Sequence, residues 1–189
     1  MPAWEKIPEG GRIPIVIDPG LAFGTGKHET TRACLEYLDE EAAAGKSFLD
    51  MGCGSGILSI AAAKLGMSPV AGFDVDPEAV AAARENAARN GVSPVLERFA
   101  LGRAAYGGKP CAAKFGSFDL VAANILGPLL VKFAGEIAPC VRSRLIVSGI
   151  LSGSYGEVLA AFAAHGLFER SRRVLGEWMT GLLTRKGVF

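Results

Sequence analysis

The chain has 189 residues, half of them hydrophobic, 21% charged, with a formal net charge of +1. That length predicts one domain around a single core, and the balance excludes both a disordered chain and a polycation built for phosphate backbones. Four scattered cysteines without a CxxC pair argue against a zinc site or a disulfide framework, and no apolar run approaches the roughly 18 residues that span a bilayer.

In chain order, the segment DPGLAFGTGKHETT (18–31) comes first, rich in glycine and closed by two threonines. HETTRACLEYLDEE then sets Cys34, Leu35 and Leu38 on one helical face. From Lys46 onward, short apolar runs alternate with alanine-rich segments, the pattern of parallel strands joined by crossover helices. Strands are predicted at 47–51, 69–75, 94–100, 118–125 and 144–150, and helices in ILSIAAAKLG, PEAVAAARENAARNG and LLVKFAGEIAP. Pro77 suits a first helical turn and Gly91 a C-cap. After Gly166 no long helical segment remains, so the tail predicts two strands turning near Gly176. The expected fold is α/β: a doubly wound, Rossmann-like, seven-stranded sheet, mostly parallel, with a C-terminal antiparallel hairpin.

The sharpest chemical signal is FLDMGCGSGILSIAAAKLG, in which Gly52, Gly54 and Gly56 turn a strand into a helix. Such a loop lets a ligand approach the backbone and presents free N–H groups at the helix start. The spacing is G-x-G-x-G with Ile57 next, so the ending of the dinucleotide fingerprint is missing. Asp50, two residues before Gly52, would repel a pyrophosphate but can accept from an ammonium group; a structural hydrogen bond to the loop is its other role. S-adenosyl-L-methionine carries an ammonium and no phosphate. Asp74 follows Gly56 by 18 residues, where an acid can accept both ribose hydroxyls, with Asp76 as the competing candidate and natural cap of the helix at Pro77. Cys53 reads as packing. Asn124 ends the fourth strand at the sheet edge where doubly wound folds bind ligands; its amide can orient a target amine, or it is a strand-end turn residue.

With these residues in view, the chain resembles the ribosomal protein L-eleven methyltransferases of the PrmA type, class I enzymes that use S-adenosyl-L-methionine. The likeness lies in DPGLAFGTGKHETTRACLEYL, FLDMGCGSGILSIAAAKLG, GFDVDPEAVAAARENAARNGV, VAANIL, LIVSGIL and EWMTGLLTRK, nearly the whole chain. It implies that residues 18–31 close over the methionine half of the cofactor, that Thr31 touches it, that Gly52 lies in the cofactor loop, that Asp74 holds the ribose, and that Asn124 follows the fourth strand as catalytic and cofactor-binding residue. Thr31 has ordinary N-capping as its alternative. Phe23 either flanks the cofactor or anchors its loop, and His28 is either a polar contact or a local hydrogen-bonding residue. Lys27 and Glu29 depart from the family's GTGTHPTT pattern. With about 17 residues before Asp18, the expectation is a single methyltransferase domain over 1–189 without the family's N-terminal recognition domain.

The implied activity is protein N-methylation of a lysine or N-terminal amine in the cytoplasm. A large-subunit ribosomal protein is the partner, without direct nucleic-acid binding or membrane attachment. A planar acceptor is disfavoured because Asn-Ile-Leu-Gly stands where Asn-Pro-Pro-Tyr would supply a stacking ring. The competing classes are an NAD oxidoreductase, a methyltransferase of another protein or small molecule, and a non-catalytic cofactor-binding module.

Overall fold

The computed structural model describes residues 13–18, 28–102 and 110–187. Helix α1 spans Glu29–Glu41, and α2 (Ile57–Lys64) and α3 (Pro77–Arg89) follow strands β1 (Phe48–Met51) and β2 (Val70–Asp74). After β3 (Val95–Arg98) come α4 (Cys111–Phe115), β4 (Phe118–Asn124), α5 (Gly127–Ile137), β5 (Val141–Leu151), α6 (Tyr155–Ala163), β6 (Leu167–Leu175) and β7 (Trp178–Arg185). The seven strands lie in the order β3-β2-β1-β4-β5-β7-β6. The pairs among β1 to β5 are parallel, and β7 runs antiparallel to both β5 and β6. This is the expected doubly wound sheet with its terminal hairpin.

Alternation along the strands builds two cores. Leu49, Met51, Val121 and Ala123 face one layer with Leu130 and Ile137 of α5 and Val158 and Phe162 of α6. Phe48, Leu120, Ala122 and Ile146 face the other, with Cys34, Tyr37 and Leu38 of α1, Ile60 of α2 and Val80 and Ala83 of α3. A strand buried on both faces needs an apolar residue at nearly every position, and β1 is buried throughout. Chain direction across the sheet reverses between β1 and β4, and the crevice at the carboxyl ends of those strands is where such folds take ligands.

Three differences from the sequence reading concern element length. Helix α6 forms where no helix was expected: its nine residues are nearly all apolar or small and give little periodic contrast. Five-residue α4 is too short to leave a pattern. Strand β5 starts at Val141, three residues early, because Val141 pairs with Phe118 of β4.

Candidate functional site

The glycine loop leaves β1 at the switch point. The amides of Gly52 and Cys53 both donate to the carbonyl of Phe73 at 2.9 Å, which ties the loop to β2. Gly52 has φ +74°, and a Cβ there would stand 2.6 Å from Cγ2 of Ile125, so the loop after β4 can lie on its backbone only because the side chain is missing. The Gly54 amide donates to Oδ2 of Asp74 at 3.0 Å. Gly56 starts α2 and lies against Ala83 of α3, which makes its contact one between helices.

A cavity of about 370 Å³ opens here, lined by Gly52, Gly54, Asp74 and Asn124 and walled by Phe73, Phe99, Leu101 and Phe133, among others. Among the described residues Asp74 is the one charged side chain in that lining. Its Oδ1 accepts from the Asp76 amide at 3.0 Å while Oδ2 holds Gly54. Each carboxylate oxygen has a second lone pair, so the fixed carboxylate retains capacity for two further donors. Asp76 is the α3 N-cap, accepting from the Glu78 amide at 2.9 Å. That is the role the sequence offered it as an alternative.

Asn124 closes β4 beside this cavity, opposite Ser148 of β5, and among the described residues its amide is in no hydrogen bond. Gly149, at φ +79°, makes that edge: a Cβ on it would meet the Ile125 carbonyl oxygen at 2.6 Å and Oδ1 of Asn124 at 3.4 Å.

Asp50 is fully buried and does not line the cavity. Its Oδ2 accepts from the Ser59 amide at 3.1 Å and from the Ser59 hydroxyl at 2.8 Å, a structural bond to α2. Burial pushes its carboxyl up to about 6, partly offset by the Ser59 bonds and assisted by the nearby Asp74 charge. Cys53 is buried, and desolvation raises its thiol, consistent with packing.

At the head of α1, His28 is the N-cap, with Nδ1 accepting from the Thr30 amide at 3.3 Å, and its ring meets Trp178 edge-on at 5.3 Å. Thr31 is therefore not the cap. It is 1% exposed and its Oγ1 has no hydrogen-bond partner among the described residues. A buried hydroxyl left unpaired costs about 1–3 kcal/mol, so it marks a place where a ligand's polar group belongs. Phe23 lies outside the described residues, as do Gly20, Gly24 and Gly26.

The donor set fits a cationic nucleoside. Among the described residues the cavity offers an acid for hydroxyls, an apolar slot for a planar base and no cationic side chain for a diphosphate. The slot was missed by sequence reasoning, because Phe99 and Leu101 follow β3 whereas Phe133 lies on α5, and only the fold joins them.

The family model for "Ribosomal protein L11 methyltransferase (PrmA)" matches residues 1–186. The chain belongs to that family. A ribosomal protein L11 methyltransferase of Azotobacter vinelandii is 49% identical over 164 residues, covering 86% of this chain and 53% of that protein. One from Halorhodospira halophila is 47% identical over 172 residues, covering 89% and 55%. The chain thus spans about half the length of the curated relatives it matches. The crystal structure of a ribosomal protein L11 methylase from Lactobacillus delbrueckii subsp. bulgaricus superimposes with a TM-score of 0.79 at 31% identity, covering 91% of this chain and 85% of that one. A TehB-like methyltransferase from Corynebacterium glutamicum, 21% identical with a TM-score of 0.64 over 82% of this chain and 88% of its own, shares the fold. Among the described residues no helix is long and apolar enough to cross a membrane.

Proposed function

We propose that this chain is an S-adenosyl-L-methionine-dependent protein N-methyltransferase whose substrate is ribosomal protein L11, methylated on a lysine or N-terminal amine. The observation that carries the cofactor is the cavity at the switch point, whose lining among the described residues holds the acid Asp74 beside an apolar slot. A dinucleotide would need cations or a longer run of free amides there. The relatives' names supply the substrate.

When bound, the cofactor supplies an electrophilic methyl group on a sulfonium. In this reading Asp74 accepts the ribose hydroxyls with its remaining lone pairs, Gly52 and Gly54 give the nucleoside a close backbone floor, and Gly56 sets α2 against α3 beneath them. Phe99, Leu101 and Phe133 wall the base. Thr31 gives its unpaired hydroxyl to the methionine end, and Asp50 acts on the ammonium through its buried charge. Phe23 belongs to the same motif as Thr31 and is assigned to the cofactor with it.

Asn124 takes the catalytic place. Its amide oxygen orients the target amine so that lone pair, methyl carbon and sulfur fall in line, and alignment of that kind supplies most of the acceleration in a simple displacement. A lysine must first be deprotonated, which costs about 4.6 kcal/mol at pH 7 from a pKa near 10.4. A poorly hydrated site beside a sulfonium disfavours the ammonium and lowers that cost, so no dedicated base is assigned.

The test is mass spectrometry of ribosomal proteins after incubation with this chain and isotope-labelled cofactor, with Asn124→Ala as control. Label on L11 that disappears in the control supports the reading. Cofactor binding without transfer to any ribosomal protein would leave a cofactor-binding module instead.

A further inference from the structure

We propose that Asn86 of α3 is a positioning residue for the cofactor site, a single buried amide that fastens both cofactor motifs to one helix. This rests on the functional reading above. Asn86 is 2% exposed and lies 10 residues after Asp76, far along α3 from the cavity. Its Nδ2 donates to the Ser55 carbonyl at 3.0 Å, inside the glycine loop. Its Oδ1 accepts from the Asp18 amide at 3.0 Å, where the DPGLAFGTG motif begins. Only one orientation of the amide satisfies both bonds, because one partner is an acceptor and the other a donor.

One turn later, at the C-cap of the same helix, Asn90 treats the preceding stretch of chain in the same way. Its Oδ1 accepts from the Val16 amide at 2.9 Å and its Nδ2 donates to the Val16 carbonyl at 2.6 Å. Along residues 13–18, α3 supplies two asparagine side chains to the backbone, helped by the Arg89–Asp18 ion pair at 2.8 Å. The two asparagines are not equivalent. Asn90 touches only Val16 and its own helix, whereas Asn86 also reaches the glycine loop.

The first half of that loop is held by Phe73 and Asp74. The peptide leading into Gly56 is held on its N–H side by the Cys53 carbonyl at 2.7 Å and on its carbonyl side by Asn86. Losing the Ser55 bond removes the anchor from α3 and leaves the loop's own bond, which lowers the population of the loop shape a nucleoside can use. The helix itself keeps its buried apolar face, so stability and ligand affinity should respond separately.

The test measures the dissociation constant of S-adenosylhomocysteine by calorimetry, and the thermal midpoint of the ligand-free chain, for Asn86→Asp, Asn86→Ala and Asn90→Ala. Asn86→Asp sets a carboxylate against the Ser55 carbonyl while keeping the bond to Asp18. Asn86→Ala removes both bonds without adding charge and carries the same expectation if the aspartate does not fold. Either is expected to weaken binding at least tenfold, while Asn90→Ala leaves it within about twofold at a comparable shift in midpoint. Unchanged affinity in the Asn86 variants, or equal loss in Asn90→Ala, overturns the assignment and leaves the functional reading standing. A wild-type chain that does not bind the nucleoside overturns both.

Discussion

The carboxylate of Asp74 and the amide of Gly54 are joined at 3.0 Å, so the acid at the end of β2 and the loop at the end of β1 form one rigid unit. A cofactor that meets one necessarily meets the other. Asp74→Ala therefore removes the hydroxyl acceptor and loosens the loop together. We expect cofactor affinity to fall by about 1–3 kcal/mol, the cost of unpaired hydrogen-bonding groups. Calorimetric titration of the folded variant checks this, and an unchanged constant would remove Asp74 from the site.

Thr31 has the opposite effect on stability and binding. Its buried hydroxyl lacks a partner in the ligand-free chain, so Thr31→Val, nearly the same shape, relieves an unsatisfied group. The variant is expected to unfold at the same or a higher temperature than the parent while binding the cofactor more weakly. Thr31→Ser should retain affinity. Thermal scans with and without S-adenosylhomocysteine separate the two effects; a valine variant that binds as well as the parent would return Thr31 to a packing role.

Much of this architecture could be read from the sequence, and the reasons are local. Pro77 at the first turn of α3, the glycines after β1 and the apolar runs of β1, β2 and β4 each carry their own periodic or conformational signature. Asn86 and Asn90 carry none. Within the helix they are two polar residues on an alanine-rich segment, and their partners lie 68 and 74 residues away, so nothing short of the fold reveals the clamp. Asp50 shows the same limit: its spacing from Gly52 left both an ammonium contact and a structural bond open, and only the fold shows the pleat of β1 turning it toward Ser59 of α2. Helix α6 escaped because its buried side chains leave too little polar contrast for a helical period to emerge.

Gly149 offers a test of alignment as distinct from binding. Its φ of +79° is unfavourable for any residue with a side chain, and a Cβ would press on the backbone carrying Asn124. Gly149→Ala is expected to move Asn124 without touching Asp74 or the apolar slot. Turnover should fall at least tenfold, a cost of about 1.4 kcal/mol or more in the barrier, with cofactor affinity within a few fold of the parent. Steady-state kinetics beside calorimetry reads the split, and equal losses in both would mean that the glycine supports the whole cavity.

The last expectation concerns pH. Burial raises the Asp50 carboxyl from 3.8 to about 6, so in the ligand-free protein its contribution to stability is full below the unfolded value and is lost as pH rises through the folded one. Near neutrality the ionised group is a buried negative charge bonded only in part. A cofactor ammonium would favour that ionised form, and linkage then requires affinity to fall as pH drops through about 6, by up to about tenfold per unit for one proton. Asp50→Asn should bind more weakly at neutral pH and show a flat profile across the same range. Titrations of S-adenosylhomocysteine across about two pH units on either side of the Asp50 value, with Asp50→Asn run beside the parent, decide it: a slope that persists unchanged in the asparagine variant would remove Asp50 from the ammonium's surroundings.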